Sequence, residues 1–281
     1  MRHHGMTLAA GLVLMMGTAL AASAETVLHS FAGGTDGSYP AAGVIDQAGN
    51  IYGTTRYGGP NGDGTVFKLT QSGGVWTETV IYSFAGANAG SSPAASVVMD
   101  AAGNLYGTTR LGGPANAGTV FRLSPAGSSW TETVLYAFTG GTDGGAPQAA
   151  LTLHGKAIYG TTPQGGAAGN GTVFELKQVN GSWQERVLYS FAGGNNDGAY
   201  AYCQPVFDKL GNMYGTTASG GPEPSLNCSL RAKPGRKPSR TSSRETLMEA
   251  MWTMVSSWMP PAISTVLLYP VASTRRERRM S

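Results

Sequence analysis

Asp100 to Thr109 reads D-A-A-G-N-L-Y-G-T-T, and Gly118 to Leu123 follows it with G-T-V-F-R-L. An Asp-x-x-Gly-Asn turn flanked by β-branched and aromatic residues predicts strand, tight turn and strand, with the second string supplying the next strand. In the equivalent string at residue 64, Val66 and Lys68 alternate with Phe67 and Leu69, the period-2 pattern of a strand with unlike faces. No segment of the chain sustains a helical period.

Working outward, the same strings recur. Y-G-T-T starts at Tyr52, Tyr106, Tyr159 and Tyr214, and a Gly-Gly pair follows each time. G-T-V-F starts at Gly64, Gly118 and Gly171, with Trp76, Trp130 and Trp183 shortly after; the fourth copy lacks both. Glu25, Glu78, Glu132 and Glu185 open the segments ETVLHSF, ETVIYSF, ETVLYAF and ERVLYSF, at spacings of 53, 54 and 53 residues. Each unit therefore holds four predicted strands, in the first copy Ala42 to Asp46, N-I-Y-G-T-T, G-T-V-F-K-L and the Glu-led segment that closes it.

A four-stranded unit of this size matches one β-propeller blade, because radial repetition covers strand edges that an isolated sheet would expose. The expected fold is all-β and propeller-like but incomplete, at three to four blades, with a β-sandwich as the alternative. The units are 25–77, 78–131, 132–184 and 185–222. Cutting instead at Pro40, Pro93 and Pro147 makes the Asp-ending strand innermost. Glu25 to Phe31 then becomes an orphan outer strand, available to latch the ring. The recurring aromatics Tyr52, Tyr106, Tyr159, Tyr214, Phe67, Phe121, Phe174, Trp76, Trp130 and Trp183 read as packing between blades rather than as sugar-stacking platforms, since every copy repeats them.

The ordered set D-x-x-G-N-x-Y-G-T-T, Gly-Gly, G-T-V-F-x-L and E-T-V-L-Y-x-F resembles the GloVer tandem repeat of exported bacterial proteins, over residues 25 to about 221. The resemblance implies a repeat fold and export. It carries no shared activity and no catalytic residues.

Composition agrees with short strands and tight turns: glycine is 42 of 281 residues and only 12% are charged. At the N-terminus, Arg2 precedes an apolar run from Leu8 to Leu20 and the small-x-small string Ala22-Ser23-Ala24, a signal-peptide pattern with cleavage expected after Ala24. That run is shorter than the roughly 20 residues of a membrane span, so no span is expected in the mature chain. The mature protein is expected to be secreted, periplasmic or at the cell surface. There Cys203 and Cys228 are a candidate disulfide, with two unpaired thiols the alternative.

From residue 223 the pattern breaks. Through Cys228 the chain has 9 basic and 13 acidic residues, whereas from Ser229 onward it has 10 basic and 3 acidic. Codons compatible with Met259 to Thr265, MPPAIST, read D-A-A-G-N-L-Y-G when shifted by one nucleotide, the string found at Asp100. The segment 223–281 is therefore expected to be a frameshifted fifth repeat. Without interleaved aromatics in an exported chain, its basic residues do not point to nucleic acid.

Chemistry is sparse. Asp46, Asp100, Asp208 and the four leading glutamates occur once per unit, which points to turn capping and cross-strand pairing rather than to an asymmetric catalytic pair. His154 replaces the turn Asp in the third copy and reads as a turn residue. Asp36, Asp143 and Asp197 lie in Asp-Gly turns without calcium-loop spacing. Catalytic residues are left unassigned, and no cofactor or metal is expected. The expected function is a binding or scaffold role toward a glycan or protein; the alternatives are a polysaccharide-active hydrolase or lyase, or a non-functional truncated copy.

Overall fold

The computed structural model describes residues 26–41 and 43–221, with the backbone of 230–231 and 239–240. The leader 1–24, Glu25, Ala42, Cys228 and the rest of the tail lie outside the described residues. Among the described residues the regular elements are strands and two 3₁₀ turns, and no helix is long and apolar enough to cross a membrane.

The chain forms successive antiparallel meanders. The first blade contains β1 (Ser38–Pro40), β2 (Val44–Ile45), β3 (Ile51–Tyr57), β4 (Thr65–Ser72) and β5 (Val75–Ser83). The second contains β6 (Val98–Met99), β7 (Leu105–Thr109), β8 (Thr119–Ala126) and β9 (Ser129–Ala137). The third contains β10 (Thr152–His154), β11 (Ala157–Thr162), β12 (Thr172–Val179) and β13 (Ser182–Ser190). Strands 6 to 9 and 10 to 13 each hydrogen-bond in chain order. A fragment of a fourth blade follows: β14 (Gly198–Ala199), β15 (Val206–Phe207), β16 (Met213–Tyr214) and β17 (Ser219–Gly220). A short hairpin of β18 (Leu230–Arg231) and β19 (Ser239–Arg240) comes after it. These serial four-stranded sheets are propeller-like and are not the two facing sheets of a sandwich.

Each letter of Y-G-T-T has its own task. The glycine makes room for the phenylalanine of G-T-V-F. Gly53 pairs with Phe67 and Gly107 with Phe121, and a Cβ on either glycine would lie 2.5 Å from the Cζ of that ring. The first threonine ties blade to blade: Thr54 Oγ1 donates to Ala95 O at 2.9 Å and Thr161 Oγ1 to Cys203 O at 2.8 Å. The second meets the threonine of G-T-V-F, with Thr55 to Thr65 at 2.7 Å and both Thr109 to Thr119 and Thr162 to Thr172 at 2.8 Å. Buried hydroxyls are thereby satisfied in pairs.

The core lies between blades. Phe84, at the end of the first blade, meets Phe121 of the second at 5.1 Å, and Phe138 meets Phe174 at 5.2 Å. All four rings are at most 1% exposed. A β-bulge at Phe67, Phe121 and Phe174 inserts one residue into the outer strand, which re-aims its aromatic end toward the next blade. Trp130 approaches Tyr52 of the preceding blade at 6.0 Å, and Trp183 packs against the cluster holding Tyr106.

One expected strand is missing. Residues 26–31, TVLHSF, resemble TVIYSF at the end of β5 yet form no strand, and among the described residues no strand pairs with them as β4 pairs with β5. Phe31 still takes the inter-blade position, 4.9 Å from Phe67.

Candidate functional site

The turn aspartates face inward on their own loops. Asp46 Oδ1 accepts from the N–H groups of Ala48 and Asn50, and Oδ2 accepts from Asn50 Nδ2 at 2.8 Å and Tyr52 Oη at 3.2 Å. Asp100 and Asp208 repeat the arrangement with Asn104 and Tyr106, and with Asn212 and Tyr214. Burial is the largest single influence and pulls each of these carboxyls up, but the hydrogen bonds together outweigh it and hold all three below the ordinary aspartate value. Burial and the Asp46 charge push Tyr52 up to about 12. These aspartates stay ionised with their acceptor capacity filled by the turn, which suits a cap and not a proton donor.

The third blade solves the same problem differently. His154 stands in place of the aspartate and stacks on Phe207, with centroids 4.2 Å apart. The Tyr159 hydroxyl turns instead to Glu175 Oε1 across the strand pair, at 2.7 Å. Glu175 is 3% exposed and is also held by Lys177 and Arg186, each at 2.7 Å. The same cross-strand position carries Lys68 opposite Tyr52 and Arg122 opposite Tyr106. A lost acceptor on the turn is thus matched by a gained acceptor on the neighbouring strand.

The glutamates of the outer strands form a second row. On β5, Glu78 shares the half-buried face with Trp76 and Val80, while Thr77 and Thr79 are exposed. Glu132 and Glu185 repeat this on β9 and β13. One carboxyl oxygen of each is buried without a hydrogen-bond partner among the described residues. Burial raises all three; a hydrogen bond from Tyr82 opposes it at Glu132, and the His29 charge opposes it at Glu78. At Glu185, burial and then the Asp143 charge push the value from 4.5 up to about 7. Asp143 itself accepts from Tyr136 Oη at 3.0 Å and Thr139 N at 2.7 Å.

This row has a measurable consequence. A folded state that binds the Glu185 proton more tightly than the unfolded chain is favoured below the unfolded value of 4.5, and loses that advantage as pH rises through about 7. Glu185→Gln keeps a neutral side chain at every pH. Its melting temperature relative to wild type is expected to rise steadily between pH 5 and pH 8, measured by circular dichroism; an offset independent of pH would contradict the assignment.

Among the other sequence-selected residues, Tyr52, Tyr106, Tyr159, Phe67, Phe121 and Phe174 are buried, while Tyr214, Trp76, Trp130 and Trp183 are half-buried. Cys203 is half-buried, and its Sγ accepts from Thr216 N at 2.8 Å. Its candidate partner Cys228 lies outside the described residues. No group of three or more His, Cys, Asp or Glu able to hold a metal occurs among the described residues.

One further position of the repeat carries an unusual backbone. Tyr39, Ser92, Ala146 and Tyr200 occupy equivalent positions, and all four are non-glycine residues in the left-handed region, with φ between 53° and 59°. At three of them the backbone N–H bonds to the preceding repeat: Ser92 to Asp63 O, Ala146 to Ala117 O and Tyr200 to Asn170 O. Such a conformation costs a non-glycine residue roughly 1–2 kcal/mol; Ser92 and Ala146 are buried there, whereas Tyr39 and Tyr200 are exposed. Tyr39 is 73% exposed, its ring 5.5 Å edge-on from Tyr57, and the Arg56 guanidinium lies 5.4 Å from the Tyr57 ring centre. Tyr200 and Tyr202 are exposed on the fourth repeat. Sequence reading passed over Tyr39 and Tyr57 because the repeat does not fix those positions; their variation between copies was the available signal.

Serial four-stranded meanders bound through repeat-encoded aromatics and capped turns define a tandem-repeat, propeller-like protein. The chain belongs to the Gloeobacter/Verrucomicrobia repeat family, whose sequence model matches residues 3–141 and 76–225. No curated protein matches it. Among solved structures it is similar to a Bacteroides uniformis protein whose proposed activity is that of a 6-phosphogluconolactonase. That likeness has 13% identity and a TM-score of 0.49, and covers 75% of this chain and 58% of the other. It is also similar to the xylan β-1,4-xylosidase of Bacillus halodurans, at 16% identity, TM-score 0.38 and coverage of 75% and 40%. A third likeness is to Trypanosoma rangeli sialidase, at 13% identity, TM-score 0.39 and coverage of 82% and 35%. The chain thus spans 58% or less of the length of each of these three proteins.

Proposed function

We propose that the chain is an exported repeat scaffold, with its leader cleaved after Ala24, that binds an extracytoplasmic glycan through the surface where β1 and β3 bring Tyr39, Arg56 and Tyr57 together. The observation that carries this reading is a division of labour. The recurring carboxylates are engaged in turns or partly buried between blades, whereas Tyr39 and Tyr57 stand exposed on β1 and β3 with the half-buried Arg56 beside Tyr57. Exposed tyrosines on a rigid sheet scaffold offer large contact area at low cost in side-chain freedom.

Sedimentation of the secreted protein with insoluble cell-wall polysaccharide tests the reading. The Tyr39→Ala/Tyr57→Ala double variant is expected to bind at least fivefold more weakly at unchanged melting temperature. Equal retention of the variant, or retention of neither protein, would count against glycan binding on this face and leave a protein surface as the partner to examine. Mass spectrometry of the same secreted protein checks that it begins at Glu25.

A further inference from the structure

Arg56 and Arg110 stand at one position of the repeat, directly after Y-G-T-T, where the third and fourth copies carry Pro163 and Ala218. Backbone pairing fixes the equivalence. Thr55 and Tyr57, which flank Arg56, pair with Pro40 and Ser38; Arg110 N donates to Ser92 O, and Ala218 N to Tyr200 O. Both arginines lie at the end of their strand remote from the hairpin turns capped by Asp46 and Asp100. The other lysines and arginines of residues 26–221 lie toward the turn end: Lys156 and Lys209 in turns, Lys68 and Arg122 opposite Tyr52 and Tyr106, Lys177 and Arg186 around Glu175.

The two groups also differ in their partners. Lys68 lies 5.4 Å from the Tyr52 ring centre, Arg122 bonds Tyr106, and Lys177 and Arg186 hold Glu175. Arg56 and Arg110 are half-buried, and the Nε of each is buried without a hydrogen-bond partner among the described residues. Neither forms an ion pair there. The Arg122 Nε is bare as well, but its guanidinium has the Tyr106 hydroxyl. A buried N–H donor without an acceptor is costly. The aspartates at this end do not supply one: Asp36, Asp143 and Asp197 accept from backbone N–H groups of their own loops, and Asp63 forms no ion pair among the described residues.

We propose that Arg56 and Arg110 are a pair of anion seats, one on each of two successive blades, and that the glycan bound on this face is an acidic polysaccharide bearing carboxylate or sulfate groups. The proposal rests on the glycan reading above and narrows it to a ligand class. A guanidinium is a planar fork that grips an oxyanion through two parallel N–H bonds, and the unpartnered Nε–H is one arm of that fork. Because the seats repeat with the blade, a ligand that fills both must carry negative charges at intervals, as an acidic polymer does and a single small acid does not. Tyr57, whose ring centre lies 5.4 Å from the Arg56 guanidinium, and Tyr39 beside it offer apolar faces to the sugar rings next to the first seat. Pro163 and Ala218 end the row after two seats.

Calorimetric titration of the secreted chain with polygalacturonate, dextran sulfate and uncharged dextran tests this. Saturable binding is expected to at least one acidic polymer, the stronger of the two identifying the anion, and not to dextran. The Arg56→Gln/Arg110→Gln variant is expected to bind that polymer about tenfold more weakly. Lys156→Gln/Lys209→Gln removes the same charge at the opposite end and is expected to bind as wild type, which separates the arginine seats from general attraction of a polyanion to basic residues elsewhere in the chain. Arg56→Lys/Arg110→Lys keeps both charges without the fork and is expected to fall between wild type and the arginine-to-glutamine variant; it keeps the test decisive should the glutamine variant melt early. Absence of binding to both acidic polymers, an undiminished affinity of the arginine-to-glutamine variant, or an equal loss in the two glutamine variants would each overturn the proposal. The glycan reading is judged separately, by sedimentation of Tyr39→Ala/Tyr57→Ala with cell-wall polysaccharide: a loss there without any effect of the arginine variants removes only the acidic class.

Discussion

Phe121→Ala is expected to lower the unfolding free energy by about 4 kcal/mol, the range for emptying a fully buried aromatic site. The ring has no exposed surface and is held from three sides: by Gly107 below it, by Phe84 of the preceding blade at 5.1 Å, and by Val97. Neither glycine nor a rigid sheet can move in to refill the space, so the cavity term stays close to its full size. Urea unfolding followed by tryptophan fluorescence reads the effect directly. Phe121→Leu, which keeps most of the volume, is expected to cost less than about 1.5 kcal/mol. A loss below about 1 kcal/mol for the alanine variant would show that the inter-blade contact contributes little to stability.

Glu175→Ala is expected to cost about 2 to 3 kcal/mol, although it removes a charged group from the interior. The carboxylate is the acceptor for the Tyr159 hydroxyl and the partner of Lys177 and Arg186. Its removal leaves the tyrosine donor unsatisfied in a buried position, while the two exposed cations return to water at little cost. Burial pulls Glu175 up, but hydrogen bonds from Lys177 and Tyr159 and the Arg186 charge outweigh it, so the folded value lies below the ordinary glutamate value. The stability it contributes is complete above the unfolded value of 4.5 and fades as pH falls through the lowered folded value. The variant should therefore lose part of the acid-side slope of stability, measured as the urea midpoint from pH 3 to pH 7. An unchanged slope would place the charge coupling elsewhere.

Much of this architecture is legible in Y-G-T-T and G-T-V-F, because both strings alternate faces and repeat at fixed spacing. The strand expected at N-I-Y-G-T-T is β3, and G-T-V-F-K-L lies within β4 apart from its leading glycine. The burial of Glu78, Glu132 and Glu185 was readable too, since each shares strand parity with Trp and Val in W-T-E-T-V or its equivalent, but a glutamate is ordinarily assigned to water. The exchange of Asp for Glu175 as the tyrosine's acceptor was not readable. It depends on which residue faces Tyr159 across the strand pair, and cross-strand register follows from three-dimensional pairing rather than from position along the chain. Residues 26–31 show the same dependence, pairing with no strand among the described residues, for a strand is a property of two segments.

Because every blade junction is made by side chains from consecutive repeats, with Phe84 on Phe121 and Phe138 on Phe174, each new unit of about 53 residues presents its successor with the junction it received. Duplication or loss of a whole unit in the gene would recreate the same contacts at the seam and break none inside it. Array length is consequently free to drift by unequal recombination, while a change of a few residues within one unit is resisted. Selection on such a protein would act on the loops of individual copies, each able to diverge while its neighbours preserve the fold.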